Sequence, residues 1–270
     1  MPKHLLGIFI GGLILMIGGS LDDKYRLRAR HQIWFPILAT LTILAFGIGP
    51  HIITSPFGGT IDLAVIKIPI AGLGNWVVLA DAVVFFWLMG MMFTTKFLDG
   101  LDGLVTGVVA IGSLIIFALS LTEQFYQPEV ALLAILFAGA CLGFLIWNWH
   151  PAKIFLGEGG SLFTGFMLGI LAIISGGKIA TTILVMGLPA LDVGRVLFRR
   201  WQKHKPVFVG DNEHLHFKLL ASGFTQRQAV LLLYGISLTF GLAALFLQST
   251  HKLVAFVILL VVMILVGVWF

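Results

Sequence analysis

Residues 99–121 read Asp99-Gly-Leu-Asp102-Gly-Leu104-Val-Thr-Gly-Val-Val-Ala-Ile-Gly-Ser-Leu-Ile-Ile-Phe-Ala-Leu-Ser-Leu121. Two carboxylates three residues apart lead into an uncharged apolar run. The run lacks the polar stripe of a surface helix, as expected where lipid or neighbouring helices surround it. A bilayer crossing needs about 20 such residues. Outward from this stretch the pattern recurs, giving apolar runs at about 5–20, 33–50, 76–93, 104–121, 130–147, 160–175, 179–197, 228–247 and 252–270. The expectation is an all-α, polytopic integral membrane protein with about nine transmembrane helices and one membrane domain over 1–270. The first run ends in Gly-Gly-Ser-Leu-Asp-Asp without an A-x-A-like cleavage site, which argues against a signal peptide.

Composition agrees. Apolar residues make up 59% of the 270 and charged residues 11%, against about 25% charged in a soluble globule. Mean hydropathy is +1.05. This excludes a disordered chain, a disulfide scaffold and an ordinary soluble enzyme. The single cysteine, Cys141, leaves no intramolecular disulfide. The formal charge of +5 has no nucleic-acid reading, because the basic residues follow loop sidedness. Twelve of the 17 Lys and Arg fall in 21–32, 94–103, 148–159 and 198–227, whereas Lys67, Lys178 and Lys252 lie on or beside the alternate loops. The positive-inside rule makes the first set cytoplasmic. In the outer loop 51–75, turn residues flank an alternating run from Ile61 to Ile70 that suggests a short hairpin.

The unusual polar residues gather on the basic side. Asp22 and Asp23 follow the first run, and Asp99 and Asp102 share a face if helical. Gly157-Glu158-Gly-Gly160-Ser161 opens a helix, and Asp211-Asn-Glu213-His214-Leu-His216 lies in the last large loop. Magnesium is commonly held by one or two carboxylates plus substrate phosphates, and a glycine-rich helix start offers backbone N–H groups to a phosphate. Each piece has a plainer reading: a solvated loop for Asp22 and Asp23, a helix cap for Asp99 and Asp102, a packing turn for the glycines, surface histidines, and topology-setting arginines. Asp192 either pairs with Arg195 along a helix or serves a site. Convergence on one face favours a site for a divalent cation and phosphate.

These motifs resemble the polyprenyl-phosphate N-acetylhexosamine-1-phosphate transferases (glycosyltransferase family 4), which include the phospho-MurNAc-pentapeptide translocase. The match runs in order from Gly18 to about Tyr234: Asp22-Asp23; Asp99 to Leu104 for Asp-Gly-x-Asp-Gly-Leu; Phe155 to Ser161 for Phe-x-Gly-Asp-x-Gly-Ser, with Glu158 replacing Asp; Pro189 and Asp192 for Pro-x-x-Asp; and Asp211, Glu213, His214 and His216 for Asp-x-Glu-His-x-His-His, with Phe217 replacing the last His. The closing motif and the Leu-Leu-x-x-Gly-x-x-x-Arg-Gln-Ala after it resemble the UDP-GlcNAc branch. That resemblance implies transfer of N-acetylhexosamine 1-phosphate, with GlcNAc-1-phosphate expected, from a UDP-sugar to undecaprenyl or another polyprenyl phosphate. UMP is released, in the first membrane step of an envelope glycan, at the plasma membrane with the site facing the cytoplasm.

The resemblance further implies Mg2+ as cofactor, with Mn2+ an alternative, and a homodimer. In the roles it suggests, Asp22, Asp23, Asp99 and Asp102 are catalytic, and Glu158 with Asp23 approaches the metal. Lys96, Gly157, Gly160, Ser161, Asp192, Arg199, Arg200, His214 and His216 bind substrate. The branch has eleven spans, so about two amino-terminal family helices are expected to be absent here. Phe93 and Lys96 stand where the family has Asn-x-x-Asn. With Glu158 and Phe217, they keep a second reading open, a non-catalytic homologue binding lipid phosphate or sugar nucleotide. A secondary transporter, the third class, should carry mid-membrane charges and paired interrupted helices, and the acids here sit at one face.

Overall fold

The computed structural model describes residues 2–50, 52–54, 59–70, 74–176, 179–203, 214–247 and 249–269. The apolar runs become helices: α1 (Pro2–Tyr25), α3 (Trp34–Ala45), α4 (Val78–Leu98), α5 (Leu104–Ser120), α6 (Pro128–Asn148), α7 (Gly157–Ile174), α11 (Gln226–Phe246) and α12 (Ser249–Trp269). The run 179–197 divides into α8 (Ile179–Val185) and α9 (Gly187–Gln202), and short helices α2 (Ala29–Gln32) and α10 (Leu215–Ala221) lie in the loops. The chain is an all-α multi-pass membrane protein. Among the described residues five helices (α1, α4, α6, α7 and α11) are long and apolar enough to cross a bilayer, or six if α8 and α9 form one broken span. Helices α3 and α5 and the 251–261 stretch of α12 are apolar but shorter.

The continuous seventh span expected from the sequence is instead bent by 78° at Met186. Pro189 lies in the first turn of α9. With no N–H to donate, proline is tolerated at a helix start and breaks a helix interior. Asp192, Arg195, Arg199 and Arg200 therefore ride on an amphipathic helix that turns away from α8. The expected hairpin also resolves differently. Strand β1 (Ile52–Thr54) pairs antiparallel with β2 (Thr60–Asp62), and β3 (Lys67–Ile70) with β4 (Gly74–Val77), in separate two-stranded sheets. The alternating run thus contributes to two hairpins.

Helix α7 is the central element. Two thirds (67%) of its apolar window is buried, against 33% for α1, α6 and α11, and it supplies residues to both large cores. Leu162, Phe166 and Ile170 pack with Leu15, Ile43, Leu88 and Met92 on one side. Leu168 and Leu171 pack with Leu104, Val108, Met186 and Leu233 on the other. Small residues permit the close crossings, as is common where lipid supplies no driving force for helix association. A Cβ on Gly19 of α1 would lie 2.1 Å from the Gly159 Cα, and one on Gly165 would lie 2.5 Å from the Met91 carbonyl oxygen of α4. The Trp87 indole N–H donates to the Gly169 carbonyl at 3.0 Å, fixing the register of α4 on α7.

Overpacking a tight contact costs about 1–3 kcal/mol. Gly19→Ala should therefore lower the midpoint of thermal unfolding in detergent by several degrees. Gly139→Ala, whose added Cβ meets nothing within 4 Å, should leave it unchanged or raise it. Equal midpoints for the two variants would contradict the crossing.

Candidate active site

The loops that follow α1, α4 and α6 converge at one end of the bundle, where α9 and α10 also meet. Asp22 and Asp23 occupy the last turn of α1. The Asp22 Oδ1 accepts from the Leu27 N–H and the Gln32 side-chain amide, each at 2.8 Å, and so ties the α1–α2 turn together. Gln32 also accepts from Lys96 Nζ at 3.1 Å. The Lys96 ammonium in turn donates to the Glu158 carboxylate, making an ion pair with side chains 21% and 17% exposed. Asp23 lies over the start of α7: the Glu158 backbone N–H reaches its Oδ1 at 3.5 Å, and a Cβ on Gly157 would meet its Oδ2 at 2.9 Å. Gly157, at φ +70°, takes a conformation that L side chains rarely adopt. A carboxylate thus already faces the helix start that the sequence assigns to a phosphate. Gly160 packs against Leu156, and the buried Ser161 hydroxyl donates within α7 to the Glu158 carbonyl at 3.0 Å.

The Asp99-Gly-Leu-Asp102-Gly103 turn is clamped from three sides. Gly103, at φ +79°, precedes α5, and its N–H donates to Asn148 Oδ1 at 3.1 Å. Asn148 also accepts from the Thr106 hydroxyl and donates to the Ile154 carbonyl. Asp102 Oδ2 contacts His150 Nδ1 at 2.7 Å and accepts from the Ala152 N–H at 3.2 Å. Arg227 of α11 holds the His150 carbonyl at 3.0 Å, and the Tyr234 hydroxyl donates to the Gly103 carbonyl. Asp99 is exposed. Crowding by the surrounding protein, then the Glu158 and Asp102 carboxylates, push its pKa from 3.8 up to about 7.

Behind this turn lies the histidine pair. Asp192 accepts from Arg195 at 2.8 Å and from the Leu215 N–H at 2.9 Å, and contacts His214 Nδ1 at 2.9 Å. The ring of His214 stacks between Phe97 and His216. His216 is 2% exposed, and a Cβ on Gly100 would lie 2.3 Å from its Nε2. Burial, then His214, push its pKa down to about 4, against an opposing pull from Asp192. The two histidines that the sequence assigns to substrate are thus packed behind the acidic turn. In the last turn of α9 Arg200 is buried and Arg199 exposed. Asp211 and Glu213 lie outside the described residues. Sequence reading missed Gln32, Asn148, His150 and Arg227 as site-forming residues. A polar Asn148 closing an apolar helix and Arg227 in the Arg-Gln-Ala run were the available signals.

Two cavities share a wall formed by Phe93 and Phe97. One of about 30 Å³, the scale of a single water, is lined by Gln32, Lys96, Glu158, Ile33, Phe93 and Phe97 among others. The other, of about 620 Å³, is an open apolar groove between α4 and α9 lined by Phe86, Met89, Phe93, Phe97, Phe198 and Trp201 among others. Phe93 and Phe97 border both.

Magnesium meets an obstacle in this arrangement. Among the described residues no group of three or more His, Cys, Asp or Glu side chains is gathered to hold a metal ion, and Glu158 is already engaged by Lys96. Unit charges 4 Å apart interact by about 4 kcal/mol at an effective dielectric of 20, so a dication at that separation from the ammonium meets roughly twice that repulsion. The described side chains, as arranged, do not fit the ion.

Such a bundle, with charged side chains gathered at one end beside an apolar groove, defines a multi-pass membrane protein. The profile of glycosyl transferase family 4 matches residues 5–176, and the chain belongs to that family. It is 30% identical over 253 residues to a probable undecaprenyl-phosphate N-acetylglucosaminyl 1-phosphate transferase of Bacillus subtilis (strain 168), covering 91% of this chain and 66% of the relative. It is 33% identical over 254 residues to a decaprenyl-phosphate N-acetylglucosaminephosphotransferase of Mycolicibacterium smegmatis, covering 84% of this chain and 59% of the relative. A phospho-N-acetylmuramoyl-pentapeptide-transferase of Synechococcus sp. is 30% identical over 255 residues, covering 87% of this chain and 67% of the relative. The chain spans about three fifths to two thirds of the length of these relatives.

Asp99 and His216 titrate over one pH window with opposite sign. Asp99, raised from 3.8 to about 7, contributes stability present below pH 4 and lost as pH rises through 7. His216, lowered from 6.5 to about 4, contributes stability present above 6.5 and lost as pH falls towards 4. The two slopes oppose each other in the native protein. In Asp99→Asn the unfolding midpoint should climb more steeply between pH 4 and 7 than in wild type, which parallel melting profiles of the two proteins would contradict.

Proposed function

We propose that the chain transfers N-acetylhexosamine 1-phosphate, with GlcNAc-1-phosphate the expected group, from a UDP-sugar to a polyprenyl phosphate, releasing UMP. The observation that carries this reading is that the apolar α4–α9 groove and the Lys96–Gln32–Glu158 cavity lie next to each other, sharing Phe93 and Phe97. In this reading the first isoprene units of the lipid lie in the groove, the rest of the tail continues outside it, and the phosphate is directed towards the ammonium. The names of the relatives support the same substrates.

In this reading an oxygen of the lipid phosphate attacks the sugar-linked phosphorus. A new P–O bond forms to that phosphorus, and its bond to the bridging oxygen breaks. The bridging oxygen leaves with its electron pair on UMP. Phosphoryl transfer needs mainly positioning and charge neutralisation. Lys96 offsets phosphate charge. Asp23, exposed at the start of α7, accepts the remaining proton of the lipid phosphate, whose second pKa is about 6. Asp22 and Gln32 hold the turn that presents them. Asp102 with His150 fixes the acidic turn on the nucleotide side, while Asp192, His214 and His216 support it from behind. The excess of Lys and Arg on these loops supports a cytoplasmic site at the plasma membrane.

Purified protein supplied with undecaprenyl phosphate and UDP-GlcNAc should release UMP in proportion to the lipid. Asp23→Asn should cut turnover by about two orders of magnitude or more. Absence of UMP from UDP-GlcNAc and from UDP-GalNAc, with folded protein, would overturn the transferase and favour a binding homologue. Phe198→Asp, placing charge in the groove, should raise KM for the lipid roughly tenfold and leave that for the UDP-sugar within about twofold. Equal shifts in both would remove the lipid from the groove.

A further inference from the structure

We infer that the Lys96 ammonium is the resident cation of this site, holding Glu158 in place of a divalent metal ion. The inference builds on the transferase reading but stands on its own geometry. Lys96 lies at the end of α4. Its neighbour Thr95 donates its hydroxyl to the Met91 and Met92 carbonyls, and a Cβ on Gly165 of α7 would lie 2.3 Å from the Thr95 oxygen. The α4–α7 contact therefore sets the position of Lys96 against the first turn of α7, where Glu158 sits. Of the three N–H donors of an ammonium, one goes to Glu158 and one to Gln32. Both side chains are partly buried, so water screens the pair incompletely.

The third donor is the one available to an incoming phosphate oxygen. Gln32 is in turn anchored by Asp22, so the ammonium is held between the end of α1 and the start of α7. Magnesium demands near-octahedral oxygen ligation. Glu158 has one oxygen on Lys96, so it could join such a shell only through the other, and one carboxylate would then hold a dication and an ammonium together. Glu158 accordingly serves as the partner that positions Lys96, and the positive charge facing the phosphates comes from the chain itself.

The test is Mn2+ binding to the purified full chain without substrates, read from loss of the free-ion paramagnetic resonance signal. Glu158→Gln should change Mn2+ affinity less than about twofold from wild type. Lys96→Asn, which removes the charge and keeps a polar side chain, should bind Mn2+ about tenfold or more tightly than wild type, and Lys96→Asn/Glu158→Gln should lose that gain (tenfold is about 1.4 kcal/mol). A tenfold loss on Glu158→Gln in the wild-type background would overturn the inference, as would a folded Lys96→Asn protein with no gain. Should Lys96→Asn not fold, the comparison of wild type with Glu158→Gln decides alone. UMP release measured in parallel separates the two readings. Absence of turnover with every metal ion removes the transferase, and the binding data still decide what holds Glu158.

Discussion

The close crossing of α1 and α7 governs the geometry of the charged end. Gly19 and Gly159 bring the two backbones to a separation at which no side chain fits. Because Asp22 and Asp23 lie one turn beyond Gly19, and Glu158 immediately before Gly159, that contact places the acidic pair of one helix over the first turn of the other. The α4–α7 contact at Gly165 does the same for Lys96. Charged groups more than 60 residues apart in sequence are thereby set by apolar packing inside the bilayer, where the chain crosses only as hydrogen-bonded helices.

The acidic loops are secured by polar contacts more than by apolar burial. Asp102 and Asn148 lock the turn before α5 to the segment after α6, and Asp192 collects Arg195, His214 and the Leu215 N–H from α9 and α10. Each of these carboxylates is satisfied by several donors, as partial burial requires. Crowding by the protein, with the Glu158 and Asp102 carboxylates, raises the proton affinity of Asp99. Among the described residues this end combines hydrogen-bonded acids, the Asp99 carboxyl raised to about 7 and Lys96, beside an apolar groove.

Much of this was legible in the sequence. Every predicted apolar run is mainly helical over the described residues, with 46–50, 76–77 and the break at Met186 the chief exceptions, since a segment with no water to bond must satisfy its own backbone. The bend at Met186 was masked because an average over an apolar window does not register one proline, although Pro189 stood in the motif. The outer hairpins were only half visible, because alternation in 61–70 reveals extended chain without naming the partner strand. Clustering of Asp22, Asp23, Asp99, Asp102 and Glu158 at one end followed from topology and charge. The engagement of Glu158 by Lys96, the burial of His216 against Gly100 and the part played by Gln32 did not, because each depends on a partner supplied by another helix.

By itself the sequence determined the solvent, the helical class, the end at which the charged loops gather and the family. Hydropathy, loop charge and ordered motifs are properties of the chain read in line. Tertiary structure alone decided which acid meets which base, which histidines are buried, and that an apolar groove opens beside the Lys96–Glu158 pair. Those outcomes are fixed by how closely helices approach, and approach distance is set by glycines on opposing faces that no linear spacing brings together.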